Sequence, residues 1–122
     1  MSGFTLANLL EVEDSALESR FARGALETEQ VGLSYQRLAP GSRMPFAHHH
    51  RLQEEVYVIL GGGGRAKLDD EVVELRPLDA LRVAPEVTRG FEAGPDGLEL
   101  LAFGGGAGGT QDAEVVPGWW SD

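Results

Sequence analysis

Residues 46–62 read FAHHHRLQEEVYVILGG and contain all three histidines of the chain together with two glutamates. His48 and His50 are two apart, so on a strand both imidazoles project from one face while His49 turns to the other. Glu55 follows beyond the polar RLQ, which can form the turn into the next strand. Two imidazoles and one carboxylate converging inside a barrel make a two-histidine, one-carboxylate ligand set. Such a set suits Fe(II), Mn(II), Ni(II) or Zn(II) and leaves coordination positions open for a small ligand. It needs both imidazoles neutral, which pH 7 allows. Taken alone, a run of histidines is equally a polar loop, so the weight falls on the elements that would position these side chains.

Those elements read as strands. Seventeen glycines and six prolines divide the chain into short segments, the spacing of an all-β sandwich or barrel. EQVGLSYQRL (29–38) alternates, with Val31, Leu33 and Tyr35 on one face and Gly32, Ser34 and Gln36 on the other. EVYVILGG (55–62) is β-branched, aromatic and apolar on both faces, and is expected to be a fully buried strand. The glycines at 61–64 suit a turn with positive backbone dihedrals, and they lack the lysine and helix of a phosphate loop. GRAKLDDEVVEL (64–75) predicts a hairpin turning at Asp69-Asp70, with Ala66, Leu68, Val73 and Leu75 on one inner face. ALRVAP (80–85) and GLELLAFG (97–104) are further strands, with EAGPDG (92–97) as a turn. Near the N-terminus SALE (15–18) fits a capping box for a short helix ending near Gly24, while ESRFAR fits an edge strand; the strand is the favoured reading.

The length, 122 residues, predicts one domain over 1–122, with the barrel at about 29–104, a glycine-rich tether at 104–110 and a docked tail at 111–122. Two adjacent tryptophans, Trp119 and Trp120, are the reason to expect docking. A net charge of −10 argues against nucleic acid and anionic membranes as partners. No apolar run reaches the length of a membrane span, and the acidic N-terminus lacks the pattern of a signal peptide. With no cysteine, disulfides and thiolate metal sites are excluded, and a cytoplasmic location is the default expectation.

The run from Gly41 to Gly62 resembles the first signature motif of the cupin superfamily: a glycine, His-x-His, a glutamate three or four residues on, then a glycine. His48, His50, Glu55 and Gly62 fill those places, with one extra residue after Gly41. Glu54 with Gly61 fits the shorter spacing, but family members with a Glu-Glu pair before an apolar strand usually ligate through the second. RPLDALRVAPEVTRGFEAG (76–94) is similar to the second motif. The resemblance implies a small single-domain cupin: a double-stranded β-helix, or jelly-roll barrel, of two antiparallel sheets. It also implies a homodimer and, were the protein an enzyme, a metal-dependent dioxygenase, isomerase or cyclase.

The second motif departs from the family where it matters. Leu78, Ala84, Glu86 and Arg89 stand for its usual Gly, Pro, Gly and His, so an arginine replaces the fourth metal ligand. A guanidinium is protonated and has no lone pair to give. Arg89 can anchor an acidic group of a ligand at the open metal positions, pair with Glu55 in a metal-free barrel, or lie outside the pocket. Two functions follow: a barrel holding a divalent transition metal for a small anionic or enol-type ligand, or a metal-free ligand-binding or sensing barrel in which Arg89 pairs an acid. Tyr57 shares parity with Glu55 and is a candidate pocket residue, as is Tyr35 on the earlier strand; Phe91 is expected in the core.

Overall fold

The computed structural model of the chain describes residues 3–12, 19–105 and 112–121. The capping sequence at 15–18 and most of the expected glycine tether lie outside the described residues. Within them, β-branched and aromatic runs bounded by glycine form eight strands: β1 (Ser19–Phe21), β2 (Gly32–Leu38), β3 (Ala47–His50), β4 (Glu54–Leu68), β5 (Glu71–Leu75), β6 (Ala80–Val83), β7 (Arg89–Gly105) and β8 (Ala113–Val116). One short helix, α1 (Arg23–Leu26), follows β1. No helix is long and apolar enough to cross a membrane.

Every strand pairing is antiparallel, and β4 and β7 belong to both halves of the structure. One layer runs β1–β2–β7–β4–β6, using residues 98–105 of β7 and 54–62 of β4. The other runs β8–β3–β7–β4–β5, using 89–93 of β7 and 64–68 of β4. Between them lies the apolar core, built around Tyr57, Ile59, Ala66, Leu75, Phe91 and Leu100.

The bend that lets β4 change layers is made by its glycines. EVYVILGG does not stop at a turn; β4 continues through residues 61–64 with register shifts between Ile59 and Gly61 and between Gly62 and Gly64. Gly62 has φ of +71°, and a Cβ there would sit 2.1 Å from the carbonyl oxygen of Gly97. Left-handed backbone and a steric overlap coincide, so Gly62→Ala is expected to cost about 2–4 kcal/mol, measured by urea unfolding.

Two further expectations change. EAGPDG lies inside β7, where Gly97 takes positive φ, because both flanks of this segment stay paired to β4. EVYVILGG is buried on one face only: Tyr57 and Ile59 are enclosed, whereas Val56 and Val58 are half-buried and Leu60 is exposed. The second face of β4 looks to the outside of its layer, so the strand is paired on both edges, by β7 and by β6, yet buried on one face only. The hairpin at Asp69-Asp70 is present, with Ala66 opposite Val73 and Asp69 at φ 51°.

Candidate metal centre and its cavity

Strand β3 presents its histidines alternately. His49 faces out and meets Glu114 at 2.7 Å, whereas His48 and His50 face in, their rings edge to face with centroids 5.1 Å apart. After the turn at residues 51–53, β4 brings Glu55 to the same interior face, while Glu54 is exposed and pairs with Arg82 at 2.9 Å. The Nε2 atoms of His48 and His50 each lie 3.2 Å from Glu55 Oε1. All three ligand atoms fall within 4.8 Å of one another. Donors about 2.1 Å from a common ion, and adjacent around it, stand roughly 3 Å apart, so the observed spacings fit a shared cation.

The electrostatics favour the charged carboxylate. Burial works against ionisation of Glu55, but hydrogen bonds with His48, His50 and Tyr57 outweigh it and hold the carboxyl far below the ordinary range. The Tyr57 hydroxyl donates to Glu55 Oε1 at 2.5 Å. Burial and the nearby Glu55 charge push this phenol well above its ordinary pKa, so it stays a donor.

His50 is held from behind by a residue that sequence reasoning missed. Its Nδ1 lies 2.8 Å from Asp112 Oδ1, while Asp112 Oδ2 accepts the backbone N–H groups of Leu52 and Gln53 at 2.6 and 2.9 Å. Burial opposes ionisation of Asp112, but the Leu52 N–H, His50 and the Gln53 N–H prevail and lower its pKa to about 2. An ionised carboxylate at Nδ1 holds a proton there and leaves Nε2 as the atom that can ligate. Burial lowers the His50 pKa, but Glu55 and Asp112 raise it above the ordinary value, so a metal at Nε2 would take the place of a proton. That Nε2 atom is buried and makes no aligned hydrogen bond. An orphaned imidazole nitrogen, oriented by a carboxylate and facing a second imidazole and a glutamate, matches the outer-shell support of metal-ligating histidines. The residues present therefore fit a three-ligand divalent metal site.

Arg89 is wholly buried beside this set, directly opposite His48 in the β3–β7 register. Its Nε is 3.8 Å from Glu55 Oε1 and has no hydrogen-bond partner. Its Nη atoms make long contacts, 3.4–3.5 Å, to the carbonyls of Val83, Ala84 and Pro85. The guanidinium points at the protein's own carboxylate and does not line the cavity, which corrects the expectation that it anchors a ligand.

The cavity itself is about 420 Å³ and reaches from His48, His50, Glu55 and Tyr57 to β1, α1 and β2. Tyr57 lies on its wall. Tyr35 does not: β2 presents Gly32, Ser34 and Gln36 to the cavity, and Tyr35, one position out of phase, hydrogen-bonds to Glu99 on the outer face. The apolar set of β2 suggests the inner face, but the strand puts Gly32, Ser34, Gln36 and Leu38 on the cavity, and of the opposite set only Leu33 reaches it. Trp119 and Trp120 are also outside the cavity. Trp119 exchanges hydrogen bonds with Lys67, and Trp120 stacks under Arg43 and Arg65 at 4.7 and 4.9 Å, so the tail covers the outer face of the second layer.

No family model matches the chain, and neither does any curated protein. Solved structures do match. A cupin protein from Bacteroides fragilis is 29% identical, with 89% of each chain aligned and a TM-score of 0.77. A conserved protein with a double-stranded β-helix domain from Klebsiella pneumoniae is 17% identical over 91% of this chain and 96% of that one, with a TM-score of 0.73. The Streptomyces protein PAC13, solved with uridine, is 16% identical over 91% of this chain and 89% of its own, with a TM-score of 0.74.

Proposed function

We propose, from the premise that the chain belongs to the cupin superfamily, that it is a barrel holding one divalent transition metal through His48, His50 and Glu55 for the binding of a small molecule. The observation that carries this reading is the Asp112–His50 pair, which leaves an unpartnered, buried Nε2 facing Glu55 and His48. A bound Fe(II), Mn(II), Ni(II) or Zn(II) would act as a Lewis acid on an oxygen donor of that molecule. The protein's own part is positional. Asp112 sets the His50 tautomer, Tyr57 holds Glu55 Oε1 by a hydrogen bond, and Phe21, Met44 and Phe46 give the cavity apolar walls that limit water.

A second reading rests on Arg89. Its buried guanidinium beside Glu55 makes an ion pair where a fourth ligand would stand, which supports a metal-free ligand-binding barrel. Elemental analysis of untagged protein, followed by calorimetric titration, separates the two. The metal-binding reading expects close to one equivalent of transition metal, with added Mn(II) broadening the NMR signals of His48, His50 and Tyr57 most strongly. Protein that is isolated metal-free and takes up none of Fe(II), Mn(II), Ni(II) and Zn(II) would leave the second reading standing.

A further inference from the structure

Two polar side chains on the cavity wall have no partner. The Arg23 guanidinium has its Nε and Nη2 enclosed without a hydrogen bond, and Gln53, only 2% exposed, has an unpartnered Oε1. Neither is explained by the metal set. Acidic residues outnumber basic ones 20 to 10 in this chain, so a lone guanidinium does not reflect a shortage of carboxylates. The enclosed Arg23 donors call for a missing acceptor, whereas Gln53 Oε1, an acceptor, calls for a donor.

The sheet is built to seat both groups. Gly104 of β7 stands between Gly32 of β2 and Glu55 of β4, so these three positions form one row on the interior face. Arg23 lies over the first, where a Cβ on Gly32 would come within 3.0 Å of its Nη2. Gln53 lies over the second, where a Cβ on Gly104 would overlap its amide at 1.6 Å. Two residues lacking side chains thus make room for Arg23 and Gln53 along the row that ends at Glu55. With strands about 4.8 Å apart, the guanidinium sits two spacings, roughly 10 Å of sheet, from the metal-ligand glutamate.

We propose that Arg23 anchors an acid-recognition subsite, and that the cavity takes a small organic acid with an apolar body. Its carboxylate lies on the Arg23 fork, while an oxygen donor at its other end points to His48, His50 and Glu55. The planar fork of arginine matches a carboxylate in two parallel hydrogen bonds. Phe21, Met44, Phe46 and Val115 supply apolar wall for the body between the two ends. Arg23 thus takes the role that the sequence assigned to Arg89. The metal-facing half of this inference rests on the function proposed above; the Arg23 half does not.

The test uses 4-hydroxybenzoate, with a carboxylate and an oxygen donor at opposite ends of an apolar ring, and its neutral counterpart 4-hydroxybenzamide. Binding is measured by calorimetry on the full chain, metal-free and after Mn(II) loading. Arg23→Met keeps the aliphatic stem and removes the fork, and is expected to weaken the acid at least about tenfold in both forms while leaving the amide unchanged. Arg23→Lys should recover part of the loss, and circular dichroism checks that each variant folds. Equal affinity of wild type and Arg23→Met for the acid, or no binding of it by wild type at about 10 mM, overturns the subsite. Absence of metal uptake with the Arg23 effect intact overturns only the metal reading, so the two failures are distinguishable.

Discussion

Arg89→His is expected to tighten Mn(II) or Zn(II) binding on the order of a hundredfold, equivalent to about 2.7 kcal/mol. Two effects act in the same direction. The substitution removes a cation whose Nε lies 3.8 Å from Glu55 Oε1 and therefore competes with a metal for that oxygen. At an effective dielectric near 20, a single charge repels a divalent ion about 6 Å away by on the order of 5 kcal/mol, before losses from repacking. The new imidazole also stands directly across the ladder from His48, because positions 48 and 89 are register partners. Cross-strand neighbours have Cβ atoms about 5 Å apart, close enough to share an ion. The metal-free variant is expected to be less stable, since Glu55 loses a buried partner. Arg89→Met separates the contributions: it removes the charge without adding a donor and should recover only the electrostatic part. Competition titrations against a chelator measure all three proteins. Affinities within a few-fold of one another would show that the guanidinium does not oppose a metal.

What could be read from the sequence follows the range of the signal. His48, His50 and Glu55 are separated by a strand's alternation and one tight turn, so their spacing alone carries their geometry. The hairpin at Asp69-Asp70 was legible for the same reason. Tyr35 shows where alternation fails: it gives which residues share a face but not which face looks inward, and here the polar face lines a cavity. Arg23 comes from the segment where strand and helix signals competed, and its placement depends on Gly32 having no side chain, which no periodicity reveals. For Arg89 the second motif gives a position but no direction for the side chain, so three placements stay open in the sequence; in the structure its Nε stands 3.8 Å from Glu55 Oε1. Asp112 lies beyond the glycine run, 62 residues from His50, and nothing local links the two.

Asp112 also carries the strongest expected loss. In wild type, its carboxylate can only accept, so His50 donates from Nδ1 and, once neutral, has its lone pair on Nε2, the atom facing the site. Asp112→Asn preserves size and can keep its oxygen on the N–H groups of Leu52 and Gln53, contacts now made at 2.6 and 2.9 Å. Its amide nitrogen then faces Nδ1 as a donor, and His50 responds by moving its proton to Nε2, the atom that must ligate. Metal affinity should fall at least ~10–100-fold, the usual cost of removing such a support. Long-range nitrogen–proton NMR of the metal-free protein at alkaline pH, above the raised pKa of His50, reads the switch directly: neutral His50 protonated at Nδ1 in wild type and at Nε2 in the variant. The same carboxylate gives an acid limb to stability. Because the folded pKa of Asp112 is depressed to about 2 from an ordinary 3.8, its contribution is present above about pH 4 and disappears as pH falls through 2. Wild type should therefore lose more melting temperature than Asp112→Asn over that window. An unchanged tautomer with unchanged affinity would reduce Asp112 to a cap on the 51–53 turn. A shifted tautomer with lost affinity makes the C-terminal segment, which reaches Asp112 only by pairing β8 with β3, part of the site it closes.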